Sequence, residues 1–200
     1  MSTTANYEVL NWTQIYNMLL SQATRICQSG FRPNVIVGVS RGGWLPARVL
    51  SDLLENPNLA NVRAECYESI NKQKIHPILT QRISMEITGK SVLVVDEVAD
   101  SGKSLRLVVN HAQELNAREV KTATLYYKTH STLKPDYFEK TTSRWVVFPW
   151  ETKETLRQIY EKNKNDPKKV EKEIEKLIAA GLPKRLITRF LNDFSEVKPC

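Results

Sequence analysis

The sequence predicts an α/β fold: a parallel sheet flanked by helices, followed by a C-terminal helical extension. Three short, largely apolar runs, Val35–Val39, Ser91–Asp96 and Val120–Tyr127, have the length and character of buried parallel strands. Segments with helical periodicity separate these runs, and strands that alternate with helices form sheets covered on both faces. A length of 200 residues suits one such domain with additions.

The other elements follow from the same patterns. A first helix is expected from about Asn11 to Ser29, because apolar residues recur every three or four positions and Gly30 ends the pattern. From Glu68 to Thr88 the pattern fades into a polar stretch that is long enough to be a functional loop. The remaining expected elements are helices over Trp44–Leu54 and Gly102–Asn116, and strands over Val62–Tyr67 and Trp145–Phe148.

After Pro149 the composition shifts to Lys and Glu with helical spacing. We therefore divide the chain into a core domain, residues 1–150, and a helical extension, residues 151–200. Asp166 and Pro167 suit the N-cap and first position of a helix, which Gly181 ends. The apolar stripes of these helices predict that the extension packs on the core or on a neighbouring subunit.

Composition excludes several classes of protein. The longest apolar runs are far shorter than the roughly 20 residues of a membrane-spanning helix, and the first residues lack the features of a secretion signal. Three widely spaced cysteines argue against a disulfide framework or a zinc site, so we expect a cytoplasmic protein. The net charge of +7 is spread along the chain, which disfavours a nucleic-acid partner and suits a polyanionic small substrate.

The most informative segment is VLVVDEVADSGKSL, from Val92 to Leu105. An apolar strand ends in Asp96 and Glu97, and Asp100 to Ser104 then open a helix. Amides at a helix N-terminus, with hydroxyls and a glycine beside them, can hold a monophosphate. Two carboxylates suit ribose hydroxyls or a hard ion such as Mg²⁺. A capped strand-turn-helix without function would not explain the acidic pair at the end of a buried strand.

This segment closely resembles the signature of the type I phosphoribosyltransferases, with Glu97 and Ser101 where many members have Asp and Thr. The resemblance implies that Asp96 and Glu97 hold the ribose hydroxyls of phosphoribosyl pyrophosphate (PRPP), directly or through Mg²⁺. It also implies 5′-phosphate binding by Asp100, Ser101, Gly102, Lys103 and Ser104, and pyrophosphate binding by Ser40, Arg41, Gly42 and Gly43 in the loop after the first strand.

The segment VSRGGWLPARVL and the later segment FPWE are similar to sequences of the xanthine-guanine branch of this family and its archaeal relatives. That similarity implies a purine salvage enzyme that transfers the phosphoribosyl group to N9 of guanine, xanthine or hypoxanthine. Asp100, near N7, and Arg41 would be catalytic. Lys128 would contact the 6-oxo group, Trp145 would stack on the ring, and Val146 would offer its backbone to the base.

Two alternatives stay open. Adenine is the main competing base, and a regulatory protein that senses PRPP and binds RNA or a protein partner is the competing class. The family resemblance implies a homodimer or homotetramer. His76 in the long polar stretch is a candidate for contact with the pyrophosphate, and participation of His76, Lys72 or Lys74 in closure of that stretch over the site is left open.

Overall fold

The computed structural model describes residues 6–68 and 75–195. This part of the chain contains eight strands, six α-helices and one short 3₁₀ helix, at Pro149–Glu151. The strands are β1 (Tyr7–Val9), β2 (Val35–Ser40), β3 (Leu59–Glu68), β4 (Ile75–Gln81), β5 (Ser91–Ala99), β6 (Glu119–Tyr127), β7 (Tyr137–Thr141) and β8 (Trp145–Val147). The α-helices are α1 (Trp12–Gln28), α2 (Trp44–Leu53), α3 (Lys103–Glu114), α4 (Thr152–Lys162), α5 (Pro167–Ala179) and α6 (Lys184–Ser195).

Contacts divide the chain into two compact units, each described by itself below. We call residues 15–143 the sheet unit, and residues 1–14 with 144–200 the terminal unit. The boundary predicted between residues 150 and 151 stays a prediction, and the compact unit that carries the extension also takes in the first residues of the chain.

The sheet unit is built on six strands in the order β4-β3-β2-β5-β6-β7. All neighbouring pairs are parallel except β3 and β4. The predicted α/β class, a parallel sheet flanked by helices, is therefore confirmed. The antiparallel edge strand β4 was not predicted. It follows β3 after six residues, 69–74, too few for the crossover that a parallel partner needs.

The apolar runs form the centre of this sheet. Val35, Val37, Val92 and Val94 are fully buried and pack with Leu105 and Val108 of α3 in one cluster. Because β2, β5 and β6 run parallel, the loops that follow them leave from the same edge of the sheet. This is the edge at which open α/β sheets bind their ligands.

Three strands were missed by the sequence analysis. β1 has three residues, β7 has two aromatic residues followed by three polar ones, and β4 lies in the segment expected to be a loop. In addition, β5 continues to Ala99 rather than ending at Asp96. No helix in the described part of the chain is long and apolar enough to cross a membrane.

In the terminal unit, β1 and β8 pair in parallel. The helices of the extension contribute Leu177, Leu182 and Ile187 to an apolar cluster that also contains Tyr7 and Val147 from these strands. The Tyr7 hydroxyl donates a hydrogen bond to Glu173 Oε2 at 2.6 Å. The extension therefore forms a shared core with the first and last strands of the chain.

We expect Leu177→Ala to lower the free energy of unfolding by about 2 to 5 kcal/mol, because Leu177 is fully buried in the terminal unit. The matched control is Ile178→Ala on the same helix, where the side chain is 38% exposed and the loss should stay below about 1 kcal/mol. Urea unfolding of both variants measures the difference, and equal losses would contradict the packing of α5 described here.

Candidate active site

The acidic pair lies in the last part of β5, where the strand has lost one of its neighbours. β2 pairs with β5 only as far as Gly38 and Val95, whereas β6 continues alongside as far as Ala99 and Tyr127. Asp96 and Glu97 thus come immediately after the position at which β2 ends its pairing. Both side chains are partly buried.

The loop after β2 lies directly against this pair. A Cβ atom on Gly42 would be 2.2 Å from the carboxyl carbon of Glu97, and one on Gly43 would be 2.5 Å from the carbonyl oxygen of Val95. Real Cβ atoms do not approach so closely, so a larger residue at Gly42 would displace the Glu97 carboxyl group, and one at Gly43 would push the loop away from the β5 backbone. The structure therefore brings together the two segments assigned from sequence to pyrophosphate and to ribose.

Burial and mutual repulsion disfavour two negative charges in this position. Burial raises the pKa of Asp96, and it raises the pKa of Glu97 well above its usual range. The Asp96 charge and a hydrogen bond between the two carboxyls raise the Glu97 pKa further, while the Arg41 guanidinium opposes the shift. Such an environment favours a proton or a cation beside the pair.

The two carboxylates fit a divalent cation whose remaining ligands come from water and the substrate. Glu97 Oε2 is buried and accepts no hydrogen bond from the described residues. Within those residues no group of three or more His, Cys, Asp and Glu side chains could hold a metal ion without outside ligands. Mg²⁺ commonly takes one or two protein carboxylates and completes its shell with water and phosphate oxygens. The residues present therefore fit Mg²⁺.

The predicted phosphate loop leads into the N-terminus of helix α3. Helix α3 begins at Lys103, and Gly102 precedes it in the left-handed conformation with φ of 75°. The Lys103 amide points to the Ser101 hydroxyl at 3.4 Å, and the first amides of a helix have no partner within the helix. Lys103, Ser104 and the residues before them thus surround a helix N-terminus that is able to hold a phosphate.

Asp100 is held by two side chains from the loop after β6. Its Oδ2 atom is 3.1 Å from Lys128 Nζ, and its Oδ1 atom is 3.0 Å from His130 Nε2. The sequence analysis proposed Asp100 and Lys128 but missed His130. The available signal was its position two residues after Lys128, at the carboxyl end of a buried strand.

Backbone hydrogen bonds fix these two loops to one another. The Lys128 amide donates to the Ala99 carbonyl at 3.1 Å, and the Thr132 amide donates to the Ser101 carbonyl at 3.0 Å. Gly102 packs closely against the loop after β6, because a Cβ atom on Gly102 would be 2.4 Å from Ser131 Oγ. The position of Asp100 is therefore defined by the backbone on both sides.

The proposed base-contacting residues belong to different units. Lys128 lies in the sheet unit, whereas Trp145 and Val146 lie on β8 in the terminal unit. Trp145 is 46% exposed and lines a cavity of about 500 Å³ with residues of the terminal unit that include Tyr7, Lys162 and Glu173. Val146 is buried, so its side chain is not available to a ligand.

The candidates in the long polar stretch remain untested. Lys72 and Lys74 lie outside the described residues, and for His76 only the backbone is described, as part of β4. Within the stretch from Glu68 to Thr88, β4 replaces seven residues of the expected loop.

Comparison with known proteins identifies the family of this chain. The profile of the phosphoribosyl transferase domain matches residues 8–155, about three quarters of the chain, so the chain belongs to the phosphoribosyl transferase domain family. The solved purine phosphoribosyltransferase from Pyrococcus horikoshii superposes with a TM-score of 0.68 at 34% identity, and the match covers 72% of this chain and 94% of that one.

The curated relatives of this chain include purine phosphoribosyltransferases. The hypoxanthine-guanine phosphoribosyltransferase of Schizosaccharomyces pombe is 26% identical over 183 residues, covering 72% of this chain and 88% of the relative. The xanthine-guanine phosphoribosyltransferase of Cereibacter sphaeroides is 28% identical over 149 residues, covering 71% and 85%. The suspected family is thereby confirmed, and residues beyond 155 fall outside the family match.

Two glycines allow the fit of the phosphate loop to be tested separately from backbone strain. Gly102 and Gly89 both have positive φ, but only Gly102 has atoms within 4 Å of an added Cβ. We expect Gly89→Ala to cost about 1 to 2 kcal/mol of stability. Gly102→Ala should cost more and also weaken PRPP binding in calorimetry. Equal effects of the two substitutions would show that the contact with Ser131 is unimportant.

The raised pKa of Glu97 makes stability depend on pH. The folded protein holds this proton more tightly than the unfolded chain, so wild-type stability should fall as pH rises above the ordinary value of 4.5. Without divalent ions, Glu97→Gln should therefore be more stable than wild type near neutral pH, and the difference should shrink toward about pH 4. Urea unfolding in a chelating buffer across this range measures both effects.

Glu86 provides the control of opposite sign. Hydrogen bonds from Thr88 lower the Glu86 pKa, so its ionised form stabilises the fold. Glu86→Gln should reduce stability near neutral pH, with an effect that disappears as pH falls through the carboxyl range. A wild type that is more stable than Glu97→Gln at neutral pH would contradict the account of the acidic pair.

Proposed function

We propose that this protein transfers the 5-phosphoribosyl group of PRPP to N9 of a 6-oxopurine and releases pyrophosphate. The observation that carries the proposal is the contact between the Arg41–Gly43 loop and the acidic pair, at the sheet edge where the Asp100 loop begins. This arrangement offers separate places for a pyrophosphate, a ribose and a 5′-phosphate, the three parts of PRPP.

Each part of PRPP has a matching set of groups. Asp96 and Glu97 accept hydrogen bonds from the ribose hydroxyls, and the amides and hydroxyls of residues 101–104 donate to the 5′-phosphate. The loop of residues 40–43 binds the pyrophosphate through backbone amides and the Arg41 guanidinium, whose planar donors suit phosphate oxygens. A net charge of +7 favours the approach of this polyanion.

Asp96 and Glu97 are also the residues that would hold Mg²⁺. A bound Mg²⁺ neutralises charge on the pyrophosphate and relieves the repulsion between the two carboxylates. Arg41 adds a second positive charge on the pyrophosphate side and stabilises the leaving group by a fixed electrostatic interaction.

The reaction forms one bond and breaks one. The bond between C1′ and the pyrophosphate oxygen breaks, and N9 of the base bonds to C1′ while the electron pair leaves with pyrophosphate. The base loses the proton carried on N7, and Asp100 accepts it as general base. Asp100 lies beside the phosphate loop, where a base attached to the same ribose would be within reach.

The choice of base is supported by the chemistry of Lys128 and Trp145. An ammonium group donates hydrogen bonds and accepts none, so Lys128 suits a 6-oxo group and disfavours an exocyclic amine. The exposed face of Trp145 can stack on a purine ring, and the Val146 backbone can contact the edge of the base. The names of the relatives, which include hypoxanthine, guanine and xanthine, agree with this choice.

Adenine is the second candidate, and one observation favours it. Lys128 is ion-paired with Asp100 in this structure. An ammonium group whose charge stays balanced by this partner when the base binds would discriminate less strongly between a 6-oxo group and an exocyclic amine. A homodimer or homotetramer without nucleic acid or membrane remains part of the proposal, and the function of a PRPP sensor is the alternative if no base is accepted.

The deciding experiment incubates the protein with PRPP, Mg²⁺ and one purine base at a time, and measures pyrophosphate and nucleotide. Guanine, xanthine or hypoxanthine should react, and adenine should be a poor substrate. Asp96→Asn with Glu97→Gln should abolish PRPP binding in calorimetry while leaving the fold intact. A higher kcat/KM for adenine than for every 6-oxopurine would reverse the base assignment and leave the transfer chemistry standing.

Substitution of Lys128 tests how the base is selected. Lys128→Ala should lower kcat/KM for the 6-oxopurines by roughly 5- to 150-fold, the equivalent of about 1 to 3 kcal/mol, and narrow the gap to adenine. Lys121→Ala, near the opposite end of β6, is the control. It should leave kcat/KM unchanged for the 6-oxopurines and for adenine. Trp145→Ala should weaken the binding of all purine bases alike, because stacking does not distinguish the substituents on the ring.

A further inference from the structure

His130 contacts Asp100, and the sequence analysis gave it no role. Its Nε2 atom lies 3.0 Å from Asp100 Oδ1, while Lys128 Nζ lies 3.1 Å from Oδ2. Each carboxylate oxygen therefore has one donor of its own. The two donors differ in exposure: the Lys128 side chain is 13% exposed, and that of His130 is 63% exposed.

The backbone holds His130 in place even though its ring is exposed. His130 is the third residue of a turn closed by a hydrogen bond from the Ser131 amide to the Lys128 carbonyl, at 2.8 Å. Thr132, which follows the last residue of this turn, donates hydrogen bonds to the Ser101 carbonyl from both its amide and its hydroxyl, each at 3.0 Å. Arg106 on α3 donates to the Thr132 carbonyl at 2.7 Å. The turn is thus attached to the loop on which Asp100 lies.

We propose that His130 is a positioning residue that keeps the Asp100 carboxylate oriented toward the base while Lys128 is engaged elsewhere. The inference rests on the proposed function. On a purine, N7 and the substituent at C6 are neighbours, so a group that contacts C6 and a group that takes the N7 proton must work side by side. When Lys128 turns to the C6 substituent, Oδ2 of Asp100 loses its donor and becomes available to N7.

At that moment His130 is the remaining side-chain partner of Asp100 among the described residues. Its hydrogen bond to Oδ1 stops the carboxylate from rotating toward solvent or toward the amides of the phosphate loop. A carboxylate with one donor and one free oxygen also has a defined direction in which to accept the proton, which lowers the cost of reaching the transition state. His130 acts through Asp100 and does not need to touch the substrate.

The experiment compares His130→Ala and His130→Gln with Thr129→Ala in steady-state kinetics with the best purine base. Thr129 is an exposed neighbour in the same turn and serves as the control. We expect His130→Ala to lower kcat on the order of tenfold, with KM for PRPP and the melting temperature unchanged. Gln can place an amide donor near the position of the imidazole Nε2 atom, so His130→Gln should restore most of the activity.

A double-mutant cycle separates positioning from other roles. If His130 acts through Asp100, His130→Ala should have little further effect in an Asp100→Asn background. Unchanged kcat in His130→Ala, or an equal loss in both backgrounds, overturns the inference and leaves the proposed function intact. Failure of the wild type to transfer to any purine base overturns the proposed function and this inference together.

Discussion

Two adjacent carboxyl groups at the end of a buried strand are the constraint on which the rest of this site depends. Burial raises the pKa of both Asp96 and Glu97, and the neighbouring Asp96 charge raises the pKa of Glu97 further. The apo fold therefore carries an unfavourable interaction that a cation or a set of hydroxyl donors would relieve. A site that is destabilised when empty and relieved by its ligand gains affinity from the same interaction that reduces stability.

The sheet topology makes this constraint useful, because it brings distant segments to the same edge. The order β2-β5-β6 places the loops that begin at Arg41, Asp100 and Lys128 next to one another, although they are widely separated along the chain. The packing against backbone atoms is close enough to require glycine in two of these loops, at Gly43 and Gly102. Larger side chains there would separate the groups that the proposed reaction needs together.

The sequence was sufficient for the parts of the molecule that are set by local chemistry. The apolar runs of β2, β5 and β6 predicted three strands that the structure places in the sheet, and the spacing of Asp96, Glu97 and Gly102 predicted a turn that opens helix α3. The edge strands β4 and β7 carry polar residues and lack that signal. His130 was missed because an exposed histidine in a turn has no periodic pattern, and its contact with Asp100 depends on the pairing of β5 with β6.

The terminal unit adds a constraint of a different kind. A two-stranded sheet such as β1–β8 buries too little apolar surface to be stable by itself. Here Leu177 and its neighbours supply the missing cover, although they lie outside the segment that matches the family. Trp145 and Val146, proposed to hold the base, therefore depend for their support on the extension, whereas the groups proposed for PRPP depend on the central sheet. We therefore expect changes in the extension to alter the affinity for the base while leaving the proposed phosphoribosyl chemistry in place.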